Sequence, residues 1–136
     1  MKAITVRQPW AWAIMHGGKD VENRTRNIAG SYRGPLVIHA SKTHGEDDYY
    51  DVQDLLPEDV EIPQDLAFGC ALGVVELVGA HTSTLFGCNR CVSPWGCVAS
   101  WHLILANPRP FPEPIPYKGA LGLWEFPDEL LPEEFR

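Results

Sequence analysis

One carboxylate in this sequence sits in apolar company: Glu76, in Val74-Val75-Glu76-Leu77-Val78, has branched aliphatic residues on both sides. Burying an ionised carboxylate without a partner is costly, so Glu76 must reach an opening, meet a cation or take up a proton. Cations to meet it follow the glycine pair Gly17-Gly18, in Lys19-Asp20-Val21-Glu22-Asn23-Arg24. On an extended chain Glu22 and Arg24 share a face, with Lys19 just before it. Lys19, Glu22, Arg24 and Glu76 would together set two bases and two acids around one pocket. Lys19 and Arg24 could hold a phosphate or a base carbonyl there. Glu22 and Glu76 could accept from an amine edge of a base, or act as general base. The same groups could instead form an ion-pair network fastening a helix to a sheet. Four ionisable groups beside a glycine turn exceed what helix docking requires, which favours a functional site.

Aromatic and sulfur-bearing residues add two further candidates. Trp10 and Trp12 lie two positions apart on a helix and cannot share a face. One belongs to the core, and the other, taken as Trp10, can edge the pocket and stack on a base, a contact worth ~1–3 kcal/mol. Core packing of both is the plainer alternative. Trp95, in the loop Ser93-Pro94-Trp95-Gly96, is the better stacking candidate, while Trp101 and Trp124 read as core. Cys88-Asn89-Arg90-Cys91 is a C-x-x-C knuckle, followed by Cys97 and flanked by His81 and His102. Cys88, Cys91 and Cys97 with either His102 or His81 would complete a tetrahedral zinc site. The spacing is shorter than in common zinc ribbons, and reduced thiols or a redox pair are the alternatives. Cys70 reads as a buried core thiol. His39 follows an apolar run, where a lone histidine more often bonds the backbone than catalyses.

The elements that must position these residues are short. Ile4 to Val6 reads as a strand. Gln8-Pro9 opens a helix over Trp10 to His16, since proline suits a first helical turn, and Gly17-Gly18 closes it. Val21 to Arg24 and Leu36 to Ala40 read as extended, with a turn at Gly30 to Gly34 between them. His44 to Leu56 suits an acidic amphipathic surface helix, and Pro57 to Pro63 a loop. Cys70 to Val78 reads as a long central strand, and Trp101 to Leu105 as another. The prolines between Pro108 and Pro116 suggest a rigid extended connector to a last strand, Gly122 to Phe126. Many short strands with one strong early helix point to an α+β, mainly β architecture of barrel type, not to alternating β-α-β units.

Composition narrows the function classes. The length of 136 residues suits one domain over 1–136, with an acidic helical or loop insertion at about 44–66 and a Cys-rich loop at 87–97. No apolar run approaches the roughly 20 residues of a membrane span, and Arg7-Gln8 interrupts any signal-peptide core. A cytoplasmic protein without membrane contact is therefore expected, its cysteines being thiols or metal ligands rather than disulfides. The net charge of −7 argues against a general polyanion binder. Yet Met1 to Thr43 holds seven basic residues against two acidic ones, a basic third on an acidic body. That asymmetry fits a local anionic-ligand site, or two regions that merely face each other.

The stretch Gly17-Gly18-Lys19-Asp20-Val21-Glu22-Asn23-Arg24 resembles the ASCH-domain signature G-x-K-x-x-E-x-R, with Gly17, Lys19, Glu22 and Arg24 in the pattern positions. Arg7-Gln8-Pro9-Trp10-Ala11 looks like the family's entry to its helix, and Leu36 to Ser41 like its next strand. Pro116 to Trp124 resembles its closing strand. The resemblance implies a PUA-like fold: a five- to six-stranded β-barrel with helices flanking a cleft associated with RNA or modified nucleosides. It also implies two enzymatic alternatives in that cleft, a ribonuclease and an amidohydrolase of acylated cytidine-type nucleosides using a lysine, a threonine and a glutamate. By position these map to Lys19, Glu22 in place of the threonine, and Glu76. Thr25 lies on the other phase of the strand. A zinc-stapled interaction adaptor with an unknown protein partner is the remaining alternative.

Overall fold

The computed structural model describes residues 1–136. Six strands form one mixed sheet: β1 (Lys2–Gln8), β2 (Val21–Arg24), β3 (Gly34–His44), β4 (Cys70–Thr82), β5 (Trp101–Pro116) and β6 (Leu123–Glu125), in the order β2-β5-β4-β3-β1-β6. Two helices, α1 (Trp10–His16) and α2 (Asp48–Leu55), complete the α+β, mainly β architecture. No helix is long and apolar enough to cross a membrane.

β1 pairs with β3 in parallel, and the remaining pairs are antiparallel. A parallel neighbour requires a crossover, here made by α1, β2 and the turn before β3. Alternation along the strands sorts side chains onto two faces. Ile4, Val6, Leu36, Ile38, Val75 and Leu77 join Ile14 and Met15 of α1 in one core. Ala3, Val37 and Val74 face the other way, under Phe111, Phe126, Leu131 and Phe135. The C-terminal segment thus docks on its own sheet through Leu131 and Phe135, both buried. A third cluster, Ala13, Val21, Val52, Leu56 and Trp95, joins α1 to β2 and α2.

α1 starts and stops where the sequence indicates, with a cap the pattern does not reveal. The Gln8 side chain accepts a hydrogen bond from Trp12 N–H at 2.8 Å and donates to the Ala67 carbonyl at 2.9 Å. One side chain therefore satisfies a free N–H of the first turn and ties the helix to the segment before β4. At the other end the left-handed residue is Gly18, with φ +81°, and it turns Lys19 back beneath the helix.

The proline-rich segment is the main departure. It is the second half of the 16-residue β5, not a connector after it. β2 accompanies β5 only as far as Ile104, so the proline half pairs with β4 alone, and the whole β4–β5 pairing passes through three register shifts. An exposed edge tolerates prolines that a central position would not.

β6 covers only Lys2 to Ile4 of β1. Beyond that point β2, from the far end of the sheet, approaches: Arg24 Nη2 donates to the Thr5 carbonyl at 2.8 Å. The sheet is curled toward a barrel, with this seam spanned by a side chain instead of a backbone ladder.

Candidate functional site

The seam holds a cavity of about 440 Å³, bounded by β1, α1, β2, α2 and the loop before β5. Lys19 lies at its floor, with a side chain 2% exposed. Its ammonium donates to the Val21 carbonyl and stands 3.5 Å from Glu22 Oε1. It also faces the Trp10 and Trp95 rings, at 5.4 and 5.9 Å from their centroids. A cation that close to two indole faces gains from their quadrupoles. Burial nonetheless pushes the lysine below its usual pKa, and the neighbouring Glu22 carboxylate opposes that push.

Glu22 serves two cations. Oε1 faces Lys19, and Oε2 accepts from Arg24 Nε at 3.0 Å. The Arg24 side chain is 27% exposed, against 10% for Glu22. The network therefore carries one surplus positive charge and presents it at the opening through Arg24. Arg7 pairs with Asp48 at 3.2 Å and contributes no further net charge to the cavity lining.

The structure places Lys19, Glu22, Arg24 and Trp10 around one cavity. Glu76 must be corrected. It pairs with Pro35, and Val74 pairs with Val37, so Glu76 shares the face of the second core and points away from Lys19. The alternation that takes Val75 and Leu77 to the α1 side carries Glu76 to the other side. Trp95 is also corrected as a stacking platform: it is 6% exposed, packed with Val21, Val52 and Leu56. Trp101 and Trp124 are half-buried rather than fully enclosed.

Sequence reasoning missed Thr5, Arg7, Asn23 and Asp48, which also line the cavity. Arg7 carried a signal in the Arg7-Gln8-Pro9 entry to the helix. Asp48 did not, because nothing local ties the acidic insertion to β1.

A second constellation is made by the cysteine loop. His81, Cys88, Cys91 and His102 bring four donor atoms within 4.8 Å of one another, a set that could hold a metal ion. Cys97 is the correction here: its exposed thiol lines the cavity instead. Only its backbone reaches the cluster, the Cys97 carbonyl lying 2.6 Å from His102 Nε2.

On the other side of Thr5, His39 Nε2–H donates to the Tyr117 carbonyl at 2.6 Å. Nδ1 then accepts from the Thr5 hydroxyl at 3.3 Å, while that hydroxyl accepts from Trp124 Nε1–H at 3.1 Å. A neutral ring satisfies this chain of bonds, in keeping with burial drawing the His39 pKa down.

Fold and site define a small curled sheet with a charged seam, and comparison with known proteins gives that class its name. A sequence model of the ASCH domain matches residues 4–114, and the chain belongs to the ASCH family. Activating signal cointegrator 1 of Mus musculus and that of Homo sapiens are each 28% identical over 132 residues. The match takes in 93% of this chain and 22% of each of those proteins, so the chain spans about a fifth of their length. The crystal structure of ASCH from Zymomonas mobilis aligns with a TM-score of 0.57 at 15% identity, covering 95% of this chain and 89% of that one. A point mutant of the same protein aligns with a TM-score of 0.57 at 16% identity, covering 95% and 91%. At those identities the structural likeness concerns the fold.

Proposed function

We propose that the chain is a binding module that takes a modified nucleoside, or one exposed base of a single-stranded RNA, into the cleft at the seam. One observation carries this reading: a buried Lys19–Glu22 pair underpins a half-exposed Arg24 at the mouth of a cavity of about 440 Å³. That volume lies in the range of small-ligand sites, roughly 300–1,000 Å³. Arg24 offers a planar fork suited to a phosphate or a base carbonyl. Glu22 holds that fork in place, and the Trp10 ring gives the cavity an apolar wall.

Binding is favoured over hydrolysis. Both Glu22 oxygens are engaged by cations, and the ammonium of Lys19 has few donor directions left. Glu76, the third group of the amidohydrolase alternative, is on the far face of the sheet. The size of the match to the cointegrators also fits a portable module, since 22% of each is shared. The net charge of −7 speaks against long backbone contacts and for a ligand of one or a few nucleotides.

The test is equilibrium binding of a panel of free and modified nucleosides and short single-stranded RNAs, followed by tryptophan fluorescence. Arg24→Ala should weaken binding about 10–100-fold, the loss of one or two charge-assisted hydrogen bonds. Glu76→Gln should leave it unchanged. A wild-type protein that binds no member of the panel, or an equal loss in both variants, sinks the reading.

A further inference from the structure

We propose that His81, Cys88, Cys91 and His102 bind one structural zinc ion, and that this ion holds the segment 83–100 against the sheet. The inference is independent of what the cleft binds.

The four donors come from two sources that the topology brings together. His81 on β4 and His102 on β5 are direct cross-strand partners. Directly paired residues project on the same face, and these two rings lie 5.3 Å apart, edge to face. The loop then folds back so that the Cys88-x-x-Cys91 knuckle arches over the pair. Cys88 Sγ is 3.2 Å from His81 Nε2, Cys91 Sγ is 3.3 Å from His102 Nδ1, and the two sulfurs are 3.6 Å apart. Donors bound tetrahedrally at ~2.0–2.3 Å from a zinc ion stand about 3.3–3.8 Å from each other; these three pairs already lie close to that spacing, and all four donor atoms lie within 4.8 Å of one another.

The surroundings are those of a ligand set. His102 directs Nε2–H to the Cys97 carbonyl at 2.6 Å, which leaves Nδ1 free to bind. An imidazole ligand is ordinarily oriented this way by a carbonyl or carboxylate behind it. Arg90 N–H points at Cys88 Sγ at 3.4 Å, stabilising thiolate character. Gly96 lies against the His102 ring, where an added Cβ would come within 2.8 Å of Cε1. Two thiolates with two imidazoles suit zinc, and four protein donors leave no open position, the mark of a structural site.

The loop needs such a staple. Between residues 83 and 100 only Trp95 is buried, while Leu85, Phe86, Val92 and Val98 are 76, 100, 100 and 54% exposed. Apolar burial therefore contributes little to ordering it. Asn23, paired with His102 across β2 and β5, ties the far limb down by accepting from Cys97 N–H and donating to the Trp95 carbonyl, both at 2.8 Å. The metal would fix the near limb.

Protein purified without chelators should contain one zinc per chain by elemental analysis. Cys88→Ser and Cys91→Ser should lose it, and Cys97→Ser should keep it. Metal-free wild-type protein should take up one cobalt(II) per chain with the visible spectrum of a tetrahedral thiolate site. This arm does not depend on the variants folding. Trypsin should cut after Arg90 about tenfold faster once the metal is removed. The proposal is overturned if wild-type protein neither carries zinc nor gives that cobalt spectrum, if Cys97→Ser loses metal as completely as Cys88→Ser, or if chelation leaves the cleavage rate unchanged.

Discussion

Glu22 is the residue on which the cleft turns, because it alone neutralises a lysine that has almost no access to water. Glu22→Gln strands that ammonium, and breaking a buried pair from one side costs about 3–5 kcal/mol. Lys19→Met should cost less, since Glu22 keeps Arg24 as its partner. Urea denaturation of the two variants would decide this, and a larger loss for Lys19→Met would contradict it. His39 makes a pH-dependent contribution of defined sign. Its ring is neutral in the fold and its pKa is drawn down by burial, whereas the unfolded chain takes a proton near the ordinary value of 6.5. The contribution is complete above that value. It declines as pH falls through it toward the folded pKa, by up to ~1.4 kcal/mol per pH unit. Comparing denaturation at about pH 7.5 and about pH 5.5 should show a steeper acid loss in wild type than in His39→Gln. The motif residues Lys19, Glu22 and Arg24 were legible in sequence because they lie within six positions of one another. Glu76 was not. Whether it faced them depended on strand phase, and its pairing lies beside a bulge between Val74 and Glu76 that no local pattern announces.

Among the elements, α1 and β2 could be read to the residue, since Gln8-Pro9 and Gly17-Gly18 punctuate the helix chemically. β5 could not. Prolines usually end a strand, and only a free neighbouring edge allows this one to run on to Pro116. Gly73 shows how closely that strand is fitted. A Cβ there would run into Met15 Cε of α1, and would meet the Arg109 carbonyl oxygen at 2.5 Å and Pro110 Cα at 2.8 Å. Two of these are backbone atoms or fixed by them, so relief requires β4 and β5 to part. Gly73→Ala should destabilise the protein by about 1–3 kcal/mol, as overpacking does, and weaken ligand binding by shifting α1. A thermal shift indistinguishable from wild type would show that the contact relaxes freely.

At the scale of the whole molecule, charge and shape act in opposite directions on a nucleic-acid ligand. An acidic body repels a polyanion, and of the basic N-terminal third only Arg7, Lys19 and Arg24 line the seam, where Arg24 presents the surplus charge that attracts one. Binding of short RNA should therefore depend on salt with a log–log slope shallower than about −2, as for two or three phosphate contacts. A much steeper slope would point to a broader interface than the cleft. The proline half of β5 has one more consequence. Pro108, Pro110, Pro112, Pro114 and Pro116 carry no N–H, and they fall where β5 has a partner on one side only. An incoming extended peptide would find acceptors there but few donors, so this rim is a poor template for fibril growth or strand exchange between copies. Replacing Pro110 and Pro112 by threonine restores two donors, and the resulting chain should aggregate at lower concentration than the parent under otherwise native conditions.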